Sequence, residues 1–122
     1  ALMGIKKGER DKTQKFHSEN YRFFGAPVGL LFTIDKDMGW MSWLDYGMFI
    51  QNICVVARGQ GLHTCPQASW GHYHEILAQE LVLEEPEIVH VGMSLGYEDT
   101  ESPQNKLETL REPVGNFSVF HS

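Results

Sequence analysis

The chain has 122 residues and a mass of 13.9 kDa, which is enough for one domain and too little for two. Its apolar fraction of 42%, with 21% charged residues, is typical of a globular protein and excludes disorder over most of the length. No apolar run is long enough to cross a membrane, and the first residues lack the apolar core of a signal peptide. We therefore expect a single cytoplasmic domain over residues 1–122, without a membrane segment.

Charge is unevenly distributed along the chain, whose net charge is −6. Residues 1–22 form a predicted basic N-terminal arm with six basic and three acidic side chains, and the rest of the chain is strongly acidic. An acidic body repels nucleic acid, so no nucleic-acid partner is expected. The acidic residues interleaved in the arm favour a solvated helix or arm.

The elements predicted from the hydrophobic pattern alternate between helix and strand. The apolar run APVGLLFTI is typical of a buried strand. Ser42 with Asp45 three residues on is a capping-box pattern, and Gly59 with Gly61 marks a helix end. In chain order, we expect a helix end and loop over 19–25, a strand over 26–34, a helix over 43–60, a strand over 62–66, a helix over 69–82, a strand over 87–97 and an extended tail over 98–122.

The helix predicted over 43–60 is apolar around almost its whole circumference. Two narrow polar strips interrupt it, one with Asp45 and Asn52 and the other with Gln51 and Arg58. A helix that is apolar on nearly every side must be covered on nearly every side. Since a chain of this size cannot easily do that alone, we expect a homodimer with this helix in the interface.

No established catalytic or metal motif is found, because GxGxxG, GxxxxGK[ST], HExxH and GxSxG are all absent. His72 and His74 would point about 200° apart on a helix, so they cannot share a metal and no metal site is expected. His63 and Cys65 share a strand face but lack an orienting third group. Cys54 and Cys65 form no CxxC pair and lie in apolar surroundings, which favours buried free thiols in a reducing compartment.

Five segments in order carry a more specific signal: GAPVGLLFTID, SWLDYGMFIQNI, GLHTCPQASW, VGMSLGY and NKLETLREPV. They resemble the C-terminal part of the FMN-dependent nitroreductase family, in particular the oxygen-insensitive NAD(P)H nitroreductases that act on nitroaromatic compounds. The resemblance extends from Gly4 to Phe117. It implies an α+β fold in which a short antiparallel sheet packs with a long buried dimerisation helix. It also implies an intertwined homodimer with one FMN at each end of the interface.

The resemblance further implies part of an FMN site. The family-like positions are Pro66, Gln67, Ala68, Lys106 and Arg111. The first three match the segment that lies against the flavin ring, Arg111 matches a basic residue that reaches the phosphate, and Lys106 assists it. Glu108 stands where relatives often carry a second arginine, and a carboxylate repels a phosphate. Gly92, Ser94 and Gly96 are interpreted as strand packing rather than chemistry.

Two classes of function stay open at this point. The first is an FMN-dependent NAD(P)H oxidoreductase that transfers hydride through the flavin to a nitroaromatic or quinone-like acceptor. The second is a truncated, non-catalytic dimer that binds a small molecule or a partner without flavin. The CPQA segment and Arg111 favour the first, whereas the missing Arg-Ser-x-Arg opening of the family favours the second. A fragment, or one half of a split protein, is a third interpretation.

Overall fold

The computed structural model describes residues 4–121. Residues 1–3, in the predicted arm, and residue 122, in the predicted tail, lie outside the described residues. The helices and strands, in chain order, are α1 (Arg10–Ser18), β1 (Val28–Asp35), α2 (Trp40–Gly59), β2 (His63–Gln67), α3 (His74–Leu81) and β3 (Glu87–Gly96). Short 3-10 turns cover Glu19–Gly25, Ala68–Tyr73 and Val114–Asn116.

The three strands form one antiparallel sheet with β3 in the centre. β1 pairs with one edge of β3 and β2 with the other. Two β3 side chains form the centre of the core, since Val89 is 1% exposed and Met93 is fully buried. The predicted α+β fold with a short antiparallel sheet is confirmed, and each of the three predicted strands overlaps an observed one.

A β-bulge in β3 lies where two helices meet the sheet. The register between β1 and β3 shifts after Phe32, which leaves His90 as the extra residue. The main-chain N–H of Val89 donates a hydrogen bond to Nδ1 of His74, at the start of α3, at 3.2 Å. The His90 ring lies edge-on to the Trp43 ring of α2, with centroids 4.7 Å apart. The bulge therefore serves as a shared attachment point for α2 and α3.

The long helix α2 begins earlier than predicted. Its N-cap is Gly39, and no side chain caps it. The capping-box prediction is wrong because Ser42 lies inside the first turn, where its main-chain N–H donates to the Gly39 carbonyl at 3.0 Å. The predicted end is confirmed, since the helix stops at Gly59 and Gly61 adopts a left-handed φ of +75°.

Most of the apolar surface of α2 is left uncovered by its own chain. Ala57 is the buried residue of this helix, whereas Trp40 is 76% exposed and Val56 is 64% exposed. The exposed large apolar side chains of α2 are Trp40, Met41, Leu44, Met48, Phe49, Val55 and Val56. Among residues 4–121, no helix has both the length and the apolarity that a bilayer crossing requires.

Two further sequence predictions need correction. The helix predicted over 69–82 begins as a 3-10 turn, and α3 starts only at His74. The turn is pressed against β3, because a Cβ on Gly71 would lie 2.7 Å from the His90 carbonyl oxygen. The expected burial of Cys65 is wrong, because this residue lies on the edge strand β2 and is exposed. Cys54 is half-buried, and both thiols are free.

Candidate functional site

The segment predicted to face a flavin lies at the end of the edge strand β2. Pro66 pairs with Met93 and Gln67 with Gly92 of β3. A proline is tolerated on an edge strand, where no second neighbour needs its missing N–H. Pro66 and Ala68 are exposed, whereas Gln67 is only 3% exposed. In this segment, Pro66 and Ala68 therefore face outward, and the Gln67 side chain points into the protein.

The Gln67 side chain joins the sheet to the 3-10 turn that follows α1. Its Oε1 accepts a hydrogen bond from Ser94 Oγ at 2.9 Å, and its Nε2 donates to the Asn20 main-chain oxygen at 2.8 Å and to Asn20 Oδ1 at 3.3 Å. Because a main-chain carbonyl can only accept, the amide must point this way. Asn20 Nδ2 donates in turn to the His17 carbonyl at 2.9 Å. Both ends of the Gln67 amide are therefore hydrogen-bonded inside the chain.

An aromatic stack covers the sheet beside this network. The Phe23 and Trp70 rings are nearly parallel, with centroids 4.7 Å apart, and Tyr21 meets Trp70 edge-on at 5.3 Å. Two glycines make room for the stack: a Cβ on Gly29 would lie 2.3 Å from the Phe23 ring, and one on Gly92 would lie 2.1 Å from Trp70. The interpretation of Gly92 as a packing residue is confirmed. The stack supports the turn that follows Ala68.

Two buried polar atoms next to the segment have no hydrogen-bond partner among the described residues, namely Ser69 Oγ and Trp70 Nε1. Buried polar atoms in folded proteins are normally paired. An exposed surface of Pro66 and Ala68 with an unused hydroxyl beside it suits a ligand that has a flat apolar ring and a polar edge. The isoalloxazine ring of FMN has both, so the residues present at this edge fit it.

Among residues 4–121, the two basic residues predicted to contact the phosphate form hydrogen bonds and ion pairs only within the tail. Nη1 of Arg111 donates to Thr109 Oγ1 at 2.5 Å, and Nζ of Lys106 lies 3.9 Å from a Glu101 carboxylate oxygen. Neither forms a hydrogen bond or ion pair with Pro66–Ala68. The apolar side chains of the tail are exposed as well, among them Leu110, Phe117 and Phe120. The structure therefore brings Pro66–Ala68, here called the ring segment, together with Asn20 and Ser94. Lys106 and Arg111 both lie on the exposed tail.

The three histidines considered in the sequence analysis are either bound to other residues of the chain or exposed. His63 Nε2 lies 2.6 Å from an Arg58 guanidinium nitrogen and 3.0 Å from a Glu98 carboxylate oxygen, so His63 is engaged away from Cys65. His74 accepts from the sheet, as described above, and His72 is exposed in the 3-10 turn. Within residues 4–121, no three His, Cys, Asp or Glu side chains converge as a metal site.

Asn20 and Ser94 were not recognised as site residues from the sequence. A strand alternation argument could have found Ser94, because positions 92 and 94 of β3 share a face with Gln67 across the ladder. Asn20 had no such signal. It lies 47 residues before Gln67 in the chain, and only the packing of the turn Glu19–Gly25 onto the sheet brings the two together.

Comparison with known proteins agrees with this architecture. The chain is 38% identical to the nitrobenzene nitroreductase of Ectopseudomonas oleovorans over 118 residues, which is 97% of this chain and 52% of that protein. It is 45% identical to the 4-nitrobenzoate reductase of Pseudomonas putida over 101 residues, which is 83% of this chain and 44% of that protein. The chain thus spans about half the length of the curated relatives it matches.

A solved structure shares the fold over nearly the whole chain. The FMN-dependent nitroreductase NfnB from Mycobacterium smegmatis, solved in complex with NADPH, superposes with a TM-score of 0.93 at 25% identity, over 99% of this chain and 54% of that chain. The sheet, the long apolar helix and the exposed segment at the β2 edge therefore define an α+β chain of the nitroreductase type. The model of the nitroreductase family matches residues 1–97, and the chain belongs to that family.

Proposed function

We propose that this chain is part of an FMN-dependent NAD(P)H oxidoreductase that reduces nitroaromatic or quinone-like acceptors. FMN, when bound, accepts hydride from the nicotinamide and passes it to the acceptor. The observation that carries the proposal is the surface that Pro66 and Ala68 expose at the sheet edge. Over nearly its whole length, the backbone of this chain follows that of an FMN-dependent nitroreductase. Relatives named for nitrobenzene and 4-nitrobenzoate support the nitroaromatic class.

In this proposal, each part of the site has a distinct task. Pro66 and Ala68 provide the apolar surface against the flavin ring, and the unpaired Ser69 hydroxyl lies buried next to Ala68 in the chain. Arg111 and Lys106 supply positive charge for the phosphate, since charge-assisted hydrogen bonds are the strong ones in phosphate recognition. Glu108, in the same tail, works against the phosphate and lowers the affinity that these two cations provide.

The proposal includes a homodimer formed through the helix of residues 43–60. The exposed apolar face of α2 described above is the surface that a second copy would cover. Removing apolar surface from water contributes about 25 cal/mol per Å², from which the entropic cost of association is subtracted. We also place the protein in the cytoplasm, where its two free thiols stay reduced.

A visible absorption spectrum and an FMN titration of the purified protein test the proposal. We expect flavin bands in the protein as purified, or a spectral and thermal shift on adding FMN, followed by NADPH oxidation that depends on 4-nitrobenzoate. Arg111→Gln should weaken FMN binding by about tenfold or more, because one charge-assisted contact is lost. Arg22→Gln, a basic position outside the proposed site, serves as the matched control. The absence of any shift at about millimolar FMN would remove the oxidoreductase proposal.

A non-catalytic dimer is the second candidate. It is favoured by the local bonding of Arg111 within the tail and by Glu108 beside it. This candidate predicts a colourless protein that is still a dimer and that does not respond to FMN. The same spectrum, combined with sedimentation, separates the two candidates.

A further inference from the structure

The position of Gln67 in the ring segment indicates a flavin contact, but its side chain is directed into the protein. The resemblance assigns it to the flavin, as a contact residue between Pro66 and Ala68. Its side chain, however, is nearly fully buried, and both ends of its amide are hydrogen-bonded to protein groups. The amide is therefore directed into the fold and is not presented to a ligand on the exposed side of β2.

The partners of Gln67 come from two different parts of the fold. Ser94, on the central strand, is 6% exposed and donates to Oε1. Asn20, in the turn after α1, accepts from Nε2 through both its main-chain and side-chain oxygens. The amide thereby fixes the last residue of β2 from two directions at once. A buried and fully paired amide of this kind is costly to disturb, because removing one member leaves another unpaired.

The side chains on either side of Gln67 form no hydrogen bonds, and Pro66 is held through its main-chain pairing with Met93 of β3. Pro66 and Ala68 are exposed, and proline cannot donate a main-chain hydrogen bond. After Gln67 the chain leaves the strand and enters the 3-10 turn. The inward side chain of Gln67 is therefore the hydrogen-bonded side chain that adds to the strand pairing in fixing the outward surface.

We propose that Gln67 is a positioning residue for the flavin: its amide, held between Asn20 and Ser94, sets the place of Pro66 and Ala68 against the flavin ring without touching the cofactor. This inference rests on the proposed function, because it assumes that FMN is the ligand at this edge. It extends the site to Asn20 and Ser94, which act through Gln67.

Substitution of the network in the whole chain tests this role. Gln67→Met keeps the length of the side chain and removes all its hydrogen bonds, and Ser94→Ala removes one of them. Gln79→Met, at an exposed position of α3, is the matched control. The measurements are the FMN dissociation constant, the position of the visible band of bound FMN, and hydrogen exchange of the main-chain amides of residues 67–69 without FMN.

We expect Gln67→Met to weaken FMN binding by about tenfold and to shift the flavin band, with faster exchange at residues 67–69. Ser94→Ala should have the same effects to a smaller degree, and Gln79→Met should have none. Wild-type affinity and an unshifted band in Gln67→Met would overturn the inference. Weaker FMN binding with unchanged amide exchange would also overturn it, because that result indicates direct contact between the side chain and the cofactor.

The design separates this inference from the proposed function. If the unaltered chain does not bind FMN, the proposed function fails, and this role for Gln67 fails with it. If the unaltered chain binds FMN and Gln67→Met binds it equally well, only the positioning role fails. A uniform loss of thermal stability in Gln67→Met without a band shift would identify a purely structural residue and would contradict the inference as well.

Discussion

The sheet side and the α2 side of this molecule differ in how much of their apolar surface is covered by other residues of the same chain. On the sheet, glycines at 29 and 92 accept aromatic rings, Ser94 and Gln67 satisfy each other, and Met93 is sealed in the core. Along α2, by contrast, seven large apolar side chains are each more than half exposed. The same short chain thus contains one region with close-packed complementarity and one region with an open apolar face.

The difference shows which features of the fold are intrinsic to the chain. The sheet side depends on contacts between distant parts of the same polypeptide, such as Phe23 with Gly29 and Asn20 with Gln67. The α2 side exposes seven large apolar side chains, and because large exposed apolar patches are typical of interaction sites, the proposed dimer interface is assigned to this helix. Substitutions on the sheet should therefore act on folding, and substitutions on α2 should act on association.

The largest effect is expected from placing a charge on the open face of α2. Val56→Asp would bury an unpaired carboxylate in the proposed interface at a cost of about 3–5 kcal/mol. That cost corresponds to a weakening of the dimer by about a hundredfold or more, which analytical ultracentrifugation would measure. Val82→Asp, at an exposed position after α3, is the control. If Val56→Asp sediments as the same dimer as the unaltered protein, α2 is not the interface.

A smaller effect, on folding, is expected on the sheet side. Gly92→Ala forces a methyl group into the Trp70 ring, where the Cβ would lie 2.1 Å from the nearest ring atom. Such overpacking destabilises proteins by about 1–3 kcal/mol, and urea unfolding would measure it. Gly59→Ala, where nothing lies within 4 Å of the added Cβ, is the matched control and should not destabilise. Equal unfolding free energies for both variants would contradict close packing at this sheet face.

The smallest effect is expected at Tyr46, where the two regions meet. Burial raises the pKa of Tyr46 from its usual 10.0 to about 12, and its hydroxyl has no partner among the described residues. The unfolded tyrosine loses its proton first as pH rises, so the stability from this group is retained below pH 10 and is lost between pH 10 and about 12. Tyr46→Phe should remove that part of the alkaline loss.

Urea unfolding across the alkaline range tests this expectation, with Tyr97→Phe at an exposed position as the control. At neutral pH, Tyr46→Phe should not destabilise the protein, because no hydrogen bond of the hydroxyl is lost within the chain and the buried hydroxyl is removed. An alkaline unfolding profile that Tyr46→Phe leaves unchanged would show that the hydroxyl is solvated or paired in solution.

The strands and the long helix were predictable because their signals are local. The apolar run predicts β1 through its hydrophobic pattern, and the glycines at the end of α2 predict the helix end through their backbone preference. Both signals can be read directly from the sequence. The predicted start of α2 was wrong. Ser42 and Asp45 resemble a capping box, but both lie inside the helix, which begins at Trp40. The 3-10 turn before α3 was missed because its cause is the contact of Gly71 with the distant His90.

The candidate site was predictable only in part. The ring segment Pro66–Ala68 was recognised by resemblance, and the structure places it on an exposed edge. Whether it contacts FMN stays a prediction, as do the phosphate roles of Lys106 and Arg111. The direction of the Gln67 side chain could not be foreseen, because it depends on Asn20, whose position is set by packing across the fold.

The antiparallel α+β character could be expected from the sequence only through the family resemblance of its motifs. By itself, the amino-acid sequence determined the order of helices and strands and the excess of apolar surface on α2. These properties follow from composition and periodicity, which act between near neighbours in the chain. Only the tertiary structure decided which glycines lie beneath aromatic rings, which side of β2 carries Gln67, and which face of α2 is left open. Those outcomes depend on contacts between residues far apart in sequence, and they exist only once the sheet has formed.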